Sequence, residues 1–149
     1  MLWLKKHKQA IAWLQLQQKL EIGLALIRLS TGIFFLVWSI EKIIHPEVIQ
    51  KVFSRFYMME ISPGISIVIG IIQTLIILAF MAALFKIWTY GAILGMHAVS
   101  TLSTYKELFN PYEPPNHLFW AAVPTLAALI ALFLLRQEDN LFTLSRGKK

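Results

Sequence analysis

The stretch ISIVIGIIQTLIILAFMAALF, residues 65–85, holds no charged side chain. At a helical rise of ~1.5 Å per residue it reaches ~30 Å, the thickness of a bilayer's hydrocarbon core. Only Ser66, Gln73 and Thr74 interrupt its apolar run, and Pro63 and Gly64 punctuate its start. The reading that follows is a transmembrane helix. Working outward, three more stretches of similar length and character occupy about 24–44, 88–108 and 118–135. The fold expected is an all-α integral membrane four-helix bundle covering 24–135.

Whole-chain composition agrees, with 57% hydrophobic and only 15% charged residues, far from the soluble average. There is no cysteine, so the chain has no disulfide, thiolate metal site or cysteine nucleophile of its own. The net charge of +6 does not point to nucleic acid, because the basic residues flank apolar spans and form no nucleic-acid motif.

Orientation follows from the lysines and arginines near span ends. Lys5, Lys6, Lys8, Lys19, Arg28, Lys86, Arg136, Arg146, Lys148 and Lys149 fall on one side. Lys42, Lys51, Arg55 and Lys106 fall on the other, beside Glu41, Glu47, Glu60, Glu107 and Glu113. Both termini are therefore expected in the cytoplasm. Residues 1–23 read as a basic amphipathic segment, either a helix on an anionic membrane surface or a frayed tail, and 136–149 as a basic cytoplasmic tail. Trp38, Trp88 and Trp120 mark span ends. Val48 to Met59 reads as an interfacial helix over the outer mouth, and Asn110 to Asn116, with three prolines, as a stiff outer loop.

Polar groups inside the spans are the candidate functional residues, since a bilayer penalises them unless they are partnered. His97 lies near the middle of span three, with Ser100, Thr101 and Thr104 following at helical spacing, and Gln73 lies near the middle of span two. Thr31, Trp38, Glu41, Lys42 and His45 form a comparable stripe on span one. Convergence of these stripes would line a polar cleft open to the outer side, with His97, Gln73, Thr101, Arg28, Glu41 and Lys42 as ligand-binding candidates. The plainer alternatives are a neutral His97 bonded to Gln73 or a threonine, hydroxyls bonded to their own helix, and Arg28 reaching lipid headgroups. The sharper reading of Arg28 is a partner at the inner end of the bundle. Gly91 and Gly95 have GxxxG spacing, read first as packing within the bundle. The methionines and histidines show no metal-ligand spacing, and no metal is expected.

The chain resembles the DoxX-like family of four-helix bacterial inner-membrane proteins. The likeness rests on Arg28-Leu29-Ser30-Thr31-Gly32 opening span one, on Glu41-Lys42-Ile43-Ile44-His45-Pro46 closing it, and on the span lengths, and it covers about Ile22 to Leu135. It implies a small subunit associated with redox or oxidative-stress enzymes, in some relatives with quinone reduction, and it matches Arg28, Lys42 and Pro46 to recurring family positions. Where the family pattern carries an acidic residue in span two this chain has neutral Gln73, so proton transfer there is not implied. The expected function is a membrane subunit that binds a quinone or other apolar ligand between helices. A non-catalytic anchoring or assembly subunit, as a homo-oligomer or beside a redox-enzyme partner, is the alternative. A small transporter ranks third, for want of an internal repeat or a broken helix pair. No nucleophile motif or phosphate loop marks a self-contained enzyme.

Overall fold

The computed structural model describes residues 2–144, so Arg146, Lys148 and Lys149 of the basic tail lie outside the described residues. The described chain is helical and has no strand. Helix α1 spans Leu2–Ile44, α2 Pro46–Val52 with a π-helical turn Phe53–Tyr57, α3 Pro63–Met81, α4 Lys86–Ser103, α5 Tyr105–Phe109, and α6 Ala122–Leu134 after a 3₁₀ turn Asn116–Ala121. The four long helices run up and down in order. One end, here called proximal, gathers the α3–α4 turn and the C-terminal segment, and α1 enters the bundle there. The distal end carries α2, α5 and the 104–121 connection.

Three of these helices are long and apolar enough to cross a membrane: α1, α3 and the Asn116–Leu134 unit. The fourth expected span, α4, falls short of that standard because Thr89, Tyr90, His97 and Thr101 dilute it. All four of those side chains are buried against neighbouring helices. The outward faces are apolar instead. On α3, Ile77 is fully buried whereas Leu75 is 63% exposed, as expected for a helix with protein on one side and an apolar medium on the other.

Boundaries differ from the sequence reading in three places. Helix α3 stops at Met81, not Phe85, because Ala83 and Phe85 adopt left-handed conformations in the turn. Helix α4 breaks at Thr104, whose hydroxyl is turned back onto the Thr101 carbonyl. The N-terminal segment is continuous with span one in a single helix of 43 residues, ~65 Å long.

Helix α1 packs chiefly on α3 and α4 on α6; α3 joins the two pairs by meeting α4, and α1 touches α6 more sparsely. The α1–α3 seam is built from small residues and hydroxyls. Ser39 receives a hydrogen bond from Thr74 at 3.0 Å, Ser66 donates to the Lys42 carbonyl at 3.0 Å, and Gly32 sits against Met81. A Cβ at Gly70 would stand 2.8 Å from the Ser39 carbonyl oxygen and 2.9 Å from Lys42 Cβ. Backbone cannot yield as a flexible side chain does, so Gly70 sets how closely these helices approach. At the distal end the segment after α1 bridges both pairs. Ile49 is buried, Gln50 donates to the Ile61 carbonyl at 2.6 Å, Phe56 stacks on Phe119, and Arg55 reaches Glu107 at 3.8 Å.

Gly70→Ala is expected to destabilise the bundle by about 1–3 kcal/mol through forced separation of α1 and α3. Gly95→Ala, where an added Cβ meets nothing within 4 Å, should be neutral or mildly stabilising. Thermal unfolding of both variants in one detergent checks the contrast.

Candidate functional site

At the proximal end Arg28 is completely buried. Its Nε pairs with Asp139 Oδ2 at 2.9 Å. Its two terminal nitrogens donate to the carbonyls of Met81, Leu141 and Phe142. Met81 is the last residue of α3, so the guanidinium caps a carbonyl that the helix leaves without an intrahelical partner, at the negative end of its dipole. Asp139 is equally buried and also accepts a hydrogen bond at 2.7 Å from the Tyr90 hydroxyl of α4. Lys86, the first residue of α4 and outside the expected span 88–108, donates to the Asp139 carbonyl at 2.7 Å and to Asn140 Oδ1 at 3.2 Å. Burial pulls the Lys86 ammonium below the ordinary lysine range, and the Asp139 charge acts against that pull. The Leu144 amide closes the strap by donating to the Ala82 carbonyl at 2.9 Å.

This network ties α1, the α3–α4 turn, α4 and the C-terminal strap into one unit. Arg28 thus has a protein partner at the proximal end and no access to headgroups. Asp139, Tyr90 and Lys86 were not among the candidates. Asp139 escaped because the orientation argument weighs lysines and arginines, while Gln137-Glu138-Asp139-Asn140 reads as ordinary solvated tail. A buried arginine one turn inside a span was itself the signal that an acid must return to meet it. Asp139 Oδ1 is buried and has no hydrogen-bond partner among the described residues.

His97 is 5% exposed, with Nε2 3.0 Å from the Ala122 carbonyl and its ring edge-on to Phe35 at 6.0 Å between centroids. A carbonyl only accepts, so Nε2 carries a proton. The imidazole links α4 to α6 and bonds neither Gln73 nor a threonine side chain. Thr101 instead donates to the His97 backbone carbonyl at 2.8 Å. Gln73 is half-buried on the α3 stripe that includes Gly70 and Ile77, and its side chain makes no hydrogen bond among the described residues. Glu41 and Lys42 are half-buried at the distal end of α1 and form no ion pair with each other; Lys42 donates to its own helix at the Trp38 carbonyl, 3.2 Å away. The six sequence candidates therefore do not form one hydrogen-bonded cluster.

A second feature lies where α1 and α6 separate. Ile27, Ser30, Thr31 and Phe34 face Pro124, Thr125 and Ala128 across a groove of about 420 Å³. Ser30 and Thr125 are bonded to carbonyls of their own helices, Leu26 at 2.7 Å and Ala121 at 2.8 Å. Thr31 differs. It is more than nine-tenths buried, it lines the groove, and its hydroxyl has no hydrogen-bond partner among the described residues. Apolar walls and one available hydroxyl make a seat for an apolar molecule that carries a polar head.

No group of histidine or acidic side chains suited to a metal ion occurs among the described residues. Compared with protein-family models, with curated proteins and with solved structures, the chain matches none.

Asp139→Ala leaves the Arg28 guanidinium buried and unpaired and is expected to cost about 3–5 kcal/mol, whereas Arg28→Met combined with Asp139→Leu should cost clearly less than the sum of the single changes. Denaturation in detergent, read by near-ultraviolet dichroism of the tyrosines and tryptophans, measures the cycle. Additive losses would show that the pair is not coupled.

Proposed function

We propose that this chain is a four-span membrane subunit, both termini cytoplasmic, that holds an apolar ligand with a single hydrogen-bonding head in the lateral groove between α1 and α6. The Thr31 hydroxyl carries the reading: it belongs to a buried residue, has no hydrogen-bond partner among the described residues, and stands at the wall of an apolar groove. Three apolar helices support membrane insertion. Helix α4 completes the bundle because it turns Thr89, Tyr90, His97 and Thr101 inward. The proximal end is then the cytoplasmic one, since Lys5, Lys6, Lys8, Lys19 and Lys86 lie there. A quinone suits the groove through its ring carbonyls, which accept hydrogen bonds, and its isoprenoid tail, which needs apolar walls. Membership of a redox or oxidative-stress assembly in a bacterial inner membrane is the finer part of the proposal, and rests on the DoxX-like motifs around Arg28 and Lys42.

The head-group contacts fall to Thr31, with Ser30 and Thr125 nearby. His97 acts as a helix-to-helix tie, because its Nε2 proton is already engaged. A second reading, an assembly subunit, draws on Gly95: Gly91 meets Phe133 at 3.5 Å from an added Cβ, but Gly95 is exposed and nothing within the chain approaches it. Half of the GxxxG surface is thus free for another helix.

Mass spectrometry of small molecules retained after purification in mild detergent tests the first reading. Wild type should retain a stoichiometric quinone or other apolar ligand, and Thr31→Val should lose it at least tenfold while unfolding at an unchanged temperature. His97→Leu should lower the unfolding temperature instead. Equal retention by wild type and Thr31→Val, or no retained molecule at all, would remove the groove as the site and bring Gly95→Leu and co-purifying proteins to the front.

A further inference from the structure

We propose that residues 2–22 are an arm that bends at Gly23 and seats on an anionic phospholipid surface at the proximal side of the bilayer. The inference rests on the membrane-spanning reading given above. Packing begins abruptly on α1. Leu24 and Ala25 are buried, while Trp3 and every residue from 5 to 19 are exposed. Residues 24–44 already supply ~30 Å of helix, enough for the hydrocarbon core, so residues 2–22 form ~30 Å of further helix outside it.

That projection shows water large apolar side chains at a density a soluble helix does not keep. Trp3 is 69% exposed, Trp13 69% and Leu14 67%. At 100° per residue Trp3, His7, Ala10, Ile11 and Leu14 share one face, on which the Trp3 and His7 rings meet edge-on at 4.6 Å and whose bundle end carries Gln18 and Glu21. Lys5, Lys8 and Lys19 stand opposite with Gln9, Trp13 lies at the flank, and Leu16 is the large apolar residue on the lysine side. Four lysines face one acid, Glu21. An apolar face with a cationic border matches an anionic lipid surface, where rings and aliphatic groups enter the headgroup boundary and the ammonium groups meet phosphates. Parallel pairing with a second copy would instead set Lys5, Lys6 and Lys8 beside their equals.

A straight 43-residue helix cannot both cross the bilayer and lie along its surface. Gly23 stands at the junction. Its backbone is helical and an added Cβ would meet nothing within 4 Å, so neither packing nor a left-handed conformation explains a glycine there. What remains is its effect on the helix itself, since glycine lowers the resistance to bending where the two parts must diverge.

Because the chain lacks cysteine, nitroxide labels can be placed singly on the full-length protein. The test uses one copy per nanodisc and compares a label at Leu14→Cys with one at Gln9→Cys, read by collisions with a water-soluble nickel complex. In discs containing phosphatidylglycerol, position 14 should be protected several-fold relative to position 9. The difference should collapse in phosphatidylcholine discs, after Lys5, Lys6 and Lys8 are all changed to Gln, and, several-fold, with Gly23→Ala. Equal accessibility at 14 and 9 in anionic discs would overturn the seated arm, protection that ignores both lipid charge and the lysines would overturn its chemistry, and a difference unaltered by Gly23→Ala would overturn the hinge. A third label at Leu75→Cys, which faces lipid if the bundle is inserted, reports failure of the membrane reading separately.

Discussion

A guanidinium with no exposed surface sets the terms for the proximal end. Removing a cation from water costs several kcal/mol even after relaxation, and the cost is recovered only if charge and hydrogen bonds are supplied together. Arg28 receives both from two parts of the chain: the last carbonyl of α3, and the Asp139 carboxylate with two carbonyls of the C-terminal strap. The strap has few buried apolar side chains of its own to hold it. Its position follows from Arg28, assisted by Lys86 and by the Leu144 amide on Ala82. The α3–α4 turn, with non-glycine residues Ala83 and Phe85 in left-handed conformations, is clamped by the same contacts, which offset the strain of those conformations. One side chain therefore couples the loop, the strap and two helices, and its loss would release all of them at once.

The rest of the bundle handles polar groups by a simpler rule. In the proposed bilayer setting, apolar burial gives little preference for helix against helix, so close backbone approach and local hydrogen bonds carry the packing. Gly32 and Gly70 let α1 and α3 meet, and Ser39, Thr74 and Ser66 stitch that seam. Thr101 and Thr104 bond within their own helix, and His97 ties α4 to the start of α6. Of the buried threonines on the long helices, Thr31 is the one whose hydroxyl has no partner among the described residues, and it lies where α1 and α6 part.

Hydropathy made the long helices legible, because 65–85 could be little else and the other spans repeat its length. It left Arg28 with two readings, headgroup contact or a partner at the inner end of the bundle. It could not name the partner, since Asp139 sits in a short polar tail whose sequence resembles any solvated end, and only the return of the chain places it against α1. The end of α3 was misread for a related reason: Ala82-Ala83-Leu84-Phe85 is apolar and continues the pattern, while the turn is imposed by Arg28 on Met81 and by the Thr89 hydroxyl on Leu84. The expected cleft of His97, Gln73 and Thr101 came from spacing along single helices. Spacing gives the face but not the rotation of one helix against another, and here His97 turns to Ala122. Thr31 was on the predicted stripe of span one, though its separation from α6 had no signature in the sequence.

The two ends of the bundle decide how a ligand could reach Thr31. The strap and the Arg28 network occupy the proximal end, and the segment from α2 to Tyr57 crosses the distal end from Ile61 to Phe119. An aqueous solute entering along the bundle axis would have to break one of these arrangements. The gap between α1 and α6 faces sideways instead, walled by Ile27, Phe34, Pro124 and Ala128. A molecule already dissolved in the bilayer enters such a groove without crossing a polar barrier and leaves only its head to be satisfied. On the proposed reading, lateral access favours a membrane-resident amphiphile over a transported solute, with the Thr31 hydroxyl standing at that gap.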